Sequence, residues 1–211
     1  MTTVAGPTTS TPVAQPTNFK GNVKRTENGA LYYKTSSGLK TGAVPAALLG
    51  APLLLASLVP QDKWDIEAEK TYQQMIKNNQ PITESLEQLK AFKKRAPLAG
   101  LAFAGLSLGC GAFVDYMRNQ KAKKAADLIA KKGIMATEEN SNINMAENGR
   151  LYYRSNEGLK WGALLGVAFH TCSNLVCGSK ITPAKLLSGA LTGLVMGVIA
   201  DSITNKNAKK Y

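Results

Sequence analysis

Four uncharged apolar runs constrain this chain more than any other feature. Residues 41–60, 96–114, 161–179 and 186–200 hold no Asp, Glu, Lys or Arg over 20, 19, 19 and 15 positions. A helix needs about 20 residues to cross the roughly 30 Å hydrocarbon core of a bilayer, and about 17 is the lower limit. The first three clear that limit. The fourth is marginal and reaches it as 183–200 if Lys185 snorkels toward the interface. None of the four keeps the polar face that a helix of a water-soluble bundle shows. The runs therefore predict an all-α, membrane-embedded four-helix arrangement.

An internal repeat orders these runs. Residues 27–43 read ENGALYYKTSSGLKTGA and residues 147–163 read ENGRLYYRSNEGLKWGA, with 11 of 17 positions identical at an offset of 120. Residues 97–124 and 183–210 align at an offset of 86 with 10 of 28 identical, including Asp115/Asp201, Asn119/Asn205 and the closing Ala-Lys-Lys. A recurring head and tail with an apolar run just inside each predict a duplicated two-helix hairpin. The expected division is a disordered Thr/Pro-rich tail over 1–19, a first repeat over 20–124, a linker over 125–146 and a second repeat over 147–211. Apolar helices are expected over 41–60, 96–114, 161–179 and 183–200. Parallel repeats of this kind are related by an axis along the membrane normal.

The repeated head carries Asn28-Gly29 and Asn148-Gly149, which are type I′ hairpin signals, so short β-hairpins are expected before each repeat. Tyr32, Tyr33, Tyr152, Tyr153 and Trp161 suit the headgroup layer, where amphipathic rings anchor. Asp115 and Asp201 close the second and fourth runs. A carboxylate at a helix C-terminus opposes the macrodipole, and the basic residues that follow would pair with it, making both aspartates interface anchors. The two hairpin loops differ. The second is a short turn around 178–182, whereas the first opens at Gln61 and ends in Lys93, Lys94 and Arg95. Within residues 61–95, Trp64, Ala68, Tyr72 and Met75 fall at helical spacing, and so do Ile82, Leu86 and Leu89. The break between them is Asn78-Asn79-Gln80-Pro81. An amphipathic helical insert is expected there, either the seat of a protein partner or a cap packed on the membrane surface.

Small residues recur at every fourth position in the runs: Gly42, Ala46 and Gly50; Gly105 and Gly109; Gly162 and Gly166; Gly189, Gly193 and Gly197. Such glycine-zipper faces let helix backbones approach closely, where dispersion supplies an association that hydrophobicity cannot supply within lipid. The faces serve packing within the chain or within a homo-oligomer. His170, the lone histidine, shares a face with Gly162, Gly166 and Asn174. Polar groups inside a membrane usually face the bundle interior, so His170 and Asn174 mark either interhelical hydrogen bonds or a polar path. Cys172 and Cys177 point about 140° apart on a helix, so with His170 they do not converge on a metal, and no metal or cofactor is expected.

Twenty-six Lys+Arg against 14 Asp+Glu give a net charge of +12. Basic residues flank the apolar runs without forming an aromatic-interleaved stripe, so the expected partner is the lipid bilayer and not nucleic acid. Seventeen of the basic residues lie before, between and after the hairpins and 9 lie in the hairpin loops, which predicts cytoplasmic termini. No P-loop, dinucleotide fingerprint or nucleophile elbow is present, and no enzyme is expected. The leading expectation is a structural, scaffold or interaction protein of the membrane. The alternatives are a small transport or permeabilising protein with a path near His170 and Asn174, and a secreted effector that inserts into a membrane. In general character the chain is similar to phage holins and to the small-residue-rich helices of import-channel families, and it shares no motif with either.

Overall fold

One helix organises the molecule. The computed structural model describes residues 22–80, 85–177 and 180–210, with the backbone alone at 175–177. Within it, β1 (Val23–Arg25) and β2 (Leu31–Tyr33) precede α1 (Ser37–Pro45), a π-helical turn (Ala46–Gly50), α2 (Ala51–Ala56) and α3 (Gln61–Lys77). Then comes α4 (Leu86–Lys132), a continuous helix of 47 residues, roughly 70 Å long at 1.5 Å per residue. That is more than twice the hydrocarbon thickness, so both ends project beyond its apolar middle. Ser85 starts it with a capping box, its hydroxyl accepting from Gln88 N–H and its own N–H donating to the Gln88 side chain. Gly133, at φ +55°, ends it. A short α5 (Ala136–Glu139), β3 (Ile143–Met145), β4 (Leu151–Tyr153), α6 (Glu157–Cys177) and α7 (Pro183–Ala208) follow.

Among the described residues three helical stretches are long and apolar enough to cross a membrane: Ser37–Ala56, the helix containing 96–114, and α7. The fourth run, marginal by length, lies inside the 26 residues of α7. Thr182 caps that helix, and Lys185 reaches back to Asn174 and to the carbonyl of Lys180. The third run forms α6, whose last side chains lie outside the description, as do the 1–19 tail, Pro81, Ile82 and residues 178–179 of the second loop. The outer surface is apolar: Leu48 is 69 %, Leu98 64 % and Leu187 62 % exposed. In water such a surface would associate.

The expected insert is only partly separate. Its first arm is α3, but its second arm is the beginning of α4, and residues 125–132 of the expected linker are the end of α4. Glu, Gln, Lys, Leu and Ala on either side of the apolar middle are good helix formers, so nothing stops the helix at the edge of the apolar run. Trp64 donates its indole N–H to the Leu89 carbonyl at 3.1 Å, and Ala68 is buried. The apolar stripe of α3 thus lies against α4, and Ile66 and Ile76 face outward.

Each β-hairpin is antiparallel, pairing Lys24 with Tyr32 and Asn144 with Tyr152. The turns are not type I′. Gly29 N–H donates to Thr26 O and Thr26 N–H to Ala30 O, and the same pair of bonds links Gly149, Ala146 and Arg150. Gly29 and Gly149 have φ of +81° and +77°, while Asn28 and Asn148 stay at negative φ. These are three-residue loops in which glycine alone occupies the left-handed region, the arrangement that produces a G1 bulge. Glu27 and Glu147 hold the loops to the helices through Lys123 (2.6 Å) and Lys209 (2.5 Å).

Candidate functional site

The buried charge of the molecule gathers at one end of the apolar bundle. There α1 and α6 begin, α7 ends and α4 leaves its apolar middle. Asp115, on α4, accepts from the Gly38 and Leu39 N–H groups, both at 2.8 Å. Asp201, on α7, accepts from Leu159 N–H at 2.9 Å and from the Ser155 hydroxyl at 3.0 Å. One turn further on, Asn119 exchanges two hydrogen bonds with the Thr35 backbone, and Asn205 does the same with Ser155. The aspartates are therefore not anchors that tolerate an opposing dipole. Each lies inside its own helix and caps the N-terminus of a neighbour, where open N–H groups and the macrodipole favour an anion. The same contact explains the recurrence of Asp115 and Asp201.

Arg118 joins the two aspartates. It is 1 % exposed. Its Nε donates to Asp201 Oδ1 at 3.0 Å, and its Nη1 donates to Asp115 Oδ1 at 3.2 Å and to Ser37 Oγ at 3.3 Å. Its Nη2 lies 3.0 Å from Asp201 Oδ1 but off the hydrogen-bond direction, and that buried atom has no hydrogen-bond partner. Ser37 Oγ also meets the Thr204 hydroxyl at 2.5 Å and the Ala200 carbonyl at 3.0 Å. Beside this cluster the fully buried Glu157 accepts from Lys121 at 2.7 Å and from the Trp161 indole at 3.2 Å. First-hairpin cations thus meet second-hairpin carboxylates. A buried pair is costly to break because the survivor is an uncompensated charge.

Sequence reasoning placed five aromatic residues in the headgroup layer. Tyr153 instead belongs to a small core with Ala122, Ala125, Ala136 and Ile143, and Tyr32 packs against it. Tyr33 and Tyr152 line a cavity of about 110 Å³ between the hairpins. Ala122 lies about 12 Å along α4 from Val114, so this core sits above the apolar span. Trp161 is tied to Glu157 and meets the Phe113 ring edge-on at 5.3 Å. Burial pushes the Tyr153 phenol well above its ordinary value of 10.0, and Glu157 and Asp201 push it further. Outside the span, the Lys209 hydrogen bond holds the Glu147 carboxyl below its usual range.

The glycine faces divide. Gly158, Gly162 and Gly166 on α6 oppose Gly197, Gly193 and Gly189 on α7 so closely that a Cβ on any of them would overlap the facing backbone. Gly42 meets Ser107, whose hydroxyl donates to the Gly42 carbonyl, and Gly50 meets Gly100. Among the described residues nothing lies within 4 Å of where a Cβ would stand on Gly105 or Gly109, so neither packs against a described helix. The packing face of α4 is Gly100, Ser107 and Gly111. At 100° per residue, Gly105 and Gly109 turn away from Ser107.

Between α1, its π-helical turn, α4, α6 and α7 lies an apolar groove of about 410 Å³. Thr41, Val44, Leu48, Cys110, Phe169 and Met196 are among its lining residues. His170 borders it, but Asn174 does not. Asn174 donates to the His170 carbonyl at 2.7 Å and accepts from Lys185 at 3.0 Å. The two residues therefore do not line a common polar path: the space beside His170 is apolar, and Asn174 joins the ends of α6 and α7. The sequence reading saw in Arg118 only a basic residue that follows and pairs with Asp115, and it missed Ser37, Glu157 and Thr204. The available signal was the paired recurrence of Asp and Asn four residues apart, which asks for a partner on another helix. Comparison with known protein families, curated proteins and solved structures finds no match.

Proposed function

We propose that this chain is an integral membrane scaffold, a duplicated two-helix hairpin packed through glycine faces with both termini in the cytoplasm. The observation that carries the reading is α4. One helix of 47 residues holds α3 beyond one end of its apolar middle and the two β-hairpins beyond the other, so a load or partner on either side is transmitted across the bilayer. Contacts recurring at both sequence offsets support duplication: Gly38 with Gly111 and Gly158 with Gly197, Leu39 with Asp115 and Leu159 with Asp201. The Glu27–Lys123 and Glu147–Lys209 pairs repeat likewise. Orientation rests on the basic residues, 17 on the side of the termini against 9 in the hairpin loops. The outward Ile66 and Ile76 of α3 offer a protein-binding face in place of the 61–95 stripe, and outward Gly105 and Gly109 offer one to a second copy.

One observation favours transport as a second reading, namely the groove. Its apolar lining suits a hydrophobic molecule better than an ion. Two measurements separate the readings. The protein should stay in the pellet when membranes are extracted with alkaline carbonate, and release would reject integration altogether. Liposomes containing the scaffold should be no leakier to small ions than empty ones. A leak that His170→Leu stops would replace the scaffold with a channel.

A further inference from the structure

The geometry points to the apolar groove as the seat of one acyl chain of a phospholipid drawn from the leaflet on the side of the β-hairpins. This inference rests on the integration proposed above. Its length comes from the helices that line it. On α1 and its π-helical turn the lining runs from Gly38 to Leu49, and on α7 from Ala200 back to Gly189. Eleven residues at 1.5 Å are about 17 Å, close to half of a hydrocarbon core of roughly 30 Å. The groove therefore starts at the boundary marked by Asp115 and Asp201 and stops near the bilayer midplane, the depth one leaflet's chain occupies. Val44 and Leu48, which line it, are 52 % and 69 % exposed, so it opens sideways to lipid.

One cation suits the polar end of such a lipid. A carboxylate would meet the repulsion of Asp115 and Asp201, which disfavours a free fatty acid. Lys40 is exposed and lies about 60° around α1 from Ser37, the residue bonded to α7. From there its ammonium reaches the headgroup layer and complements a lipid phosphate. No Asp or Glu lines the groove among the described residues.

The test is native mass spectrometry of the full chain in detergent, titrated with phosphatidylglycerol. One saturable adduct per chain is expected. Thr41→Trp with Thr192→Trp, which fills the groove, should abolish it, and Lys40→Gln should weaken it about tenfold. Adducts that grow without saturation, equally in wild type and filled variant, would overturn the proposal. So would saturation by palmitate alone or a lipid-free dimer blocked by the same tryptophans, since either names another occupant. If the filled variant does not fold, the unaltered protein decides. Alkylation of Cys110 on the groove lining, followed by peptide mapping, should slow several-fold as phosphatidylglycerol is added, and an unchanged rate rejects the site. Carbonate extraction reads integration separately, so an integrated protein with no saturable lipid sinks this inference alone.

Discussion

In the α6–α7 pair three glycines face three glycines, and the helices lie together from Gly158 to Gly166. In the α1–α4 pair the same positions hold Gly38 against Gly111 and then Gly42 against Ser107. Beyond these, Pro45 introduces a π-helical turn before Gly50 reaches Gly100. Proline has no N–H to give to the preceding turn, and π-turns are a common way for a helix to absorb such a break. The two pairs thus share their charged end and differ in the middle. Two small departures in sequence, Pro45 and Ser107, thus accompany the groove, while the all-glycine pair stays closed. The charged end is also unequal. Arg118 and Lys121 come from the first pair, and Asp201 and Glu157 in the second receive them.

The largest effect should come from breaking that inequality. Arg118→Met leaves Asp115 and Asp201 buried without a cation and should cost about 3–5 kcal/mol, read as a lowered thermal midpoint in detergent. Asp201 takes two nitrogens of Arg118 and Asp115 takes one, so Asp201→Asn should lower the midpoint more than Asp115→Asn. The reverse order would mean the clamp belongs mainly to the first pair.

Next in size is the closed seam. Gly193→Leu must overlap the Gly162 backbone and should cost about 1–3 kcal/mol or more. Gly109→Leu, on the outward face of α4, should stay within about 0.5 kcal/mol. Equal losses at both positions would show that Gly109 is packed against a second copy.

A smaller effect concerns the hairpin layer and appears only in alkali. The folded state holds the Tyr153 phenol above its unfolded value of 10.0. Its contribution is therefore complete below pH 10 and declines as pH rises past that value, because the unfolded chain loses the proton first. Tyr153→Phe should flatten this alkaline decline of the melting temperature, and an unaltered slope would place the hydroxyl in water. The smallest effect is expected from the exposed pairs that hold the loops. Glu27→Ala and Glu147→Ala should leave the melting temperature nearly unmoved, since exposed ion pairs contribute little. A large drop for either would mark its loop as part of the folded core.

Much of this architecture is legible in the chain itself. Uncharged runs near 20 residues specify apolar helices because a bilayer core has a fixed thickness. Gly162, Gly166, Gly189, Gly193 and Gly197 announce their seam because only glycine leaves room for two backbones. The Asn-Gly heads announce hairpins, though their turn type depended on how Thr26 and Ala146 close the loop. For Gly105 and Gly109 helical periodicity shows that the residues share a face without showing whether that face points at this chain or away from it. His170 and Asn174 share a face, but only the tertiary structure shows that Asn174 bonds Lys185 of α7 while His170 borders the groove.

Local patterns along 211 residues thus determined the helices, the hairpins and one glycine seam. The tertiary structure alone decided the continuity of α4, the outward turn of Gly109, the groove beside Pro45, and the roles of Arg118, Asp115 and Asp201. A buried ion pair joins residues 83 positions apart. Its partners are chosen by which helix ends meet in space, and spacing along a single helix carries no record of that.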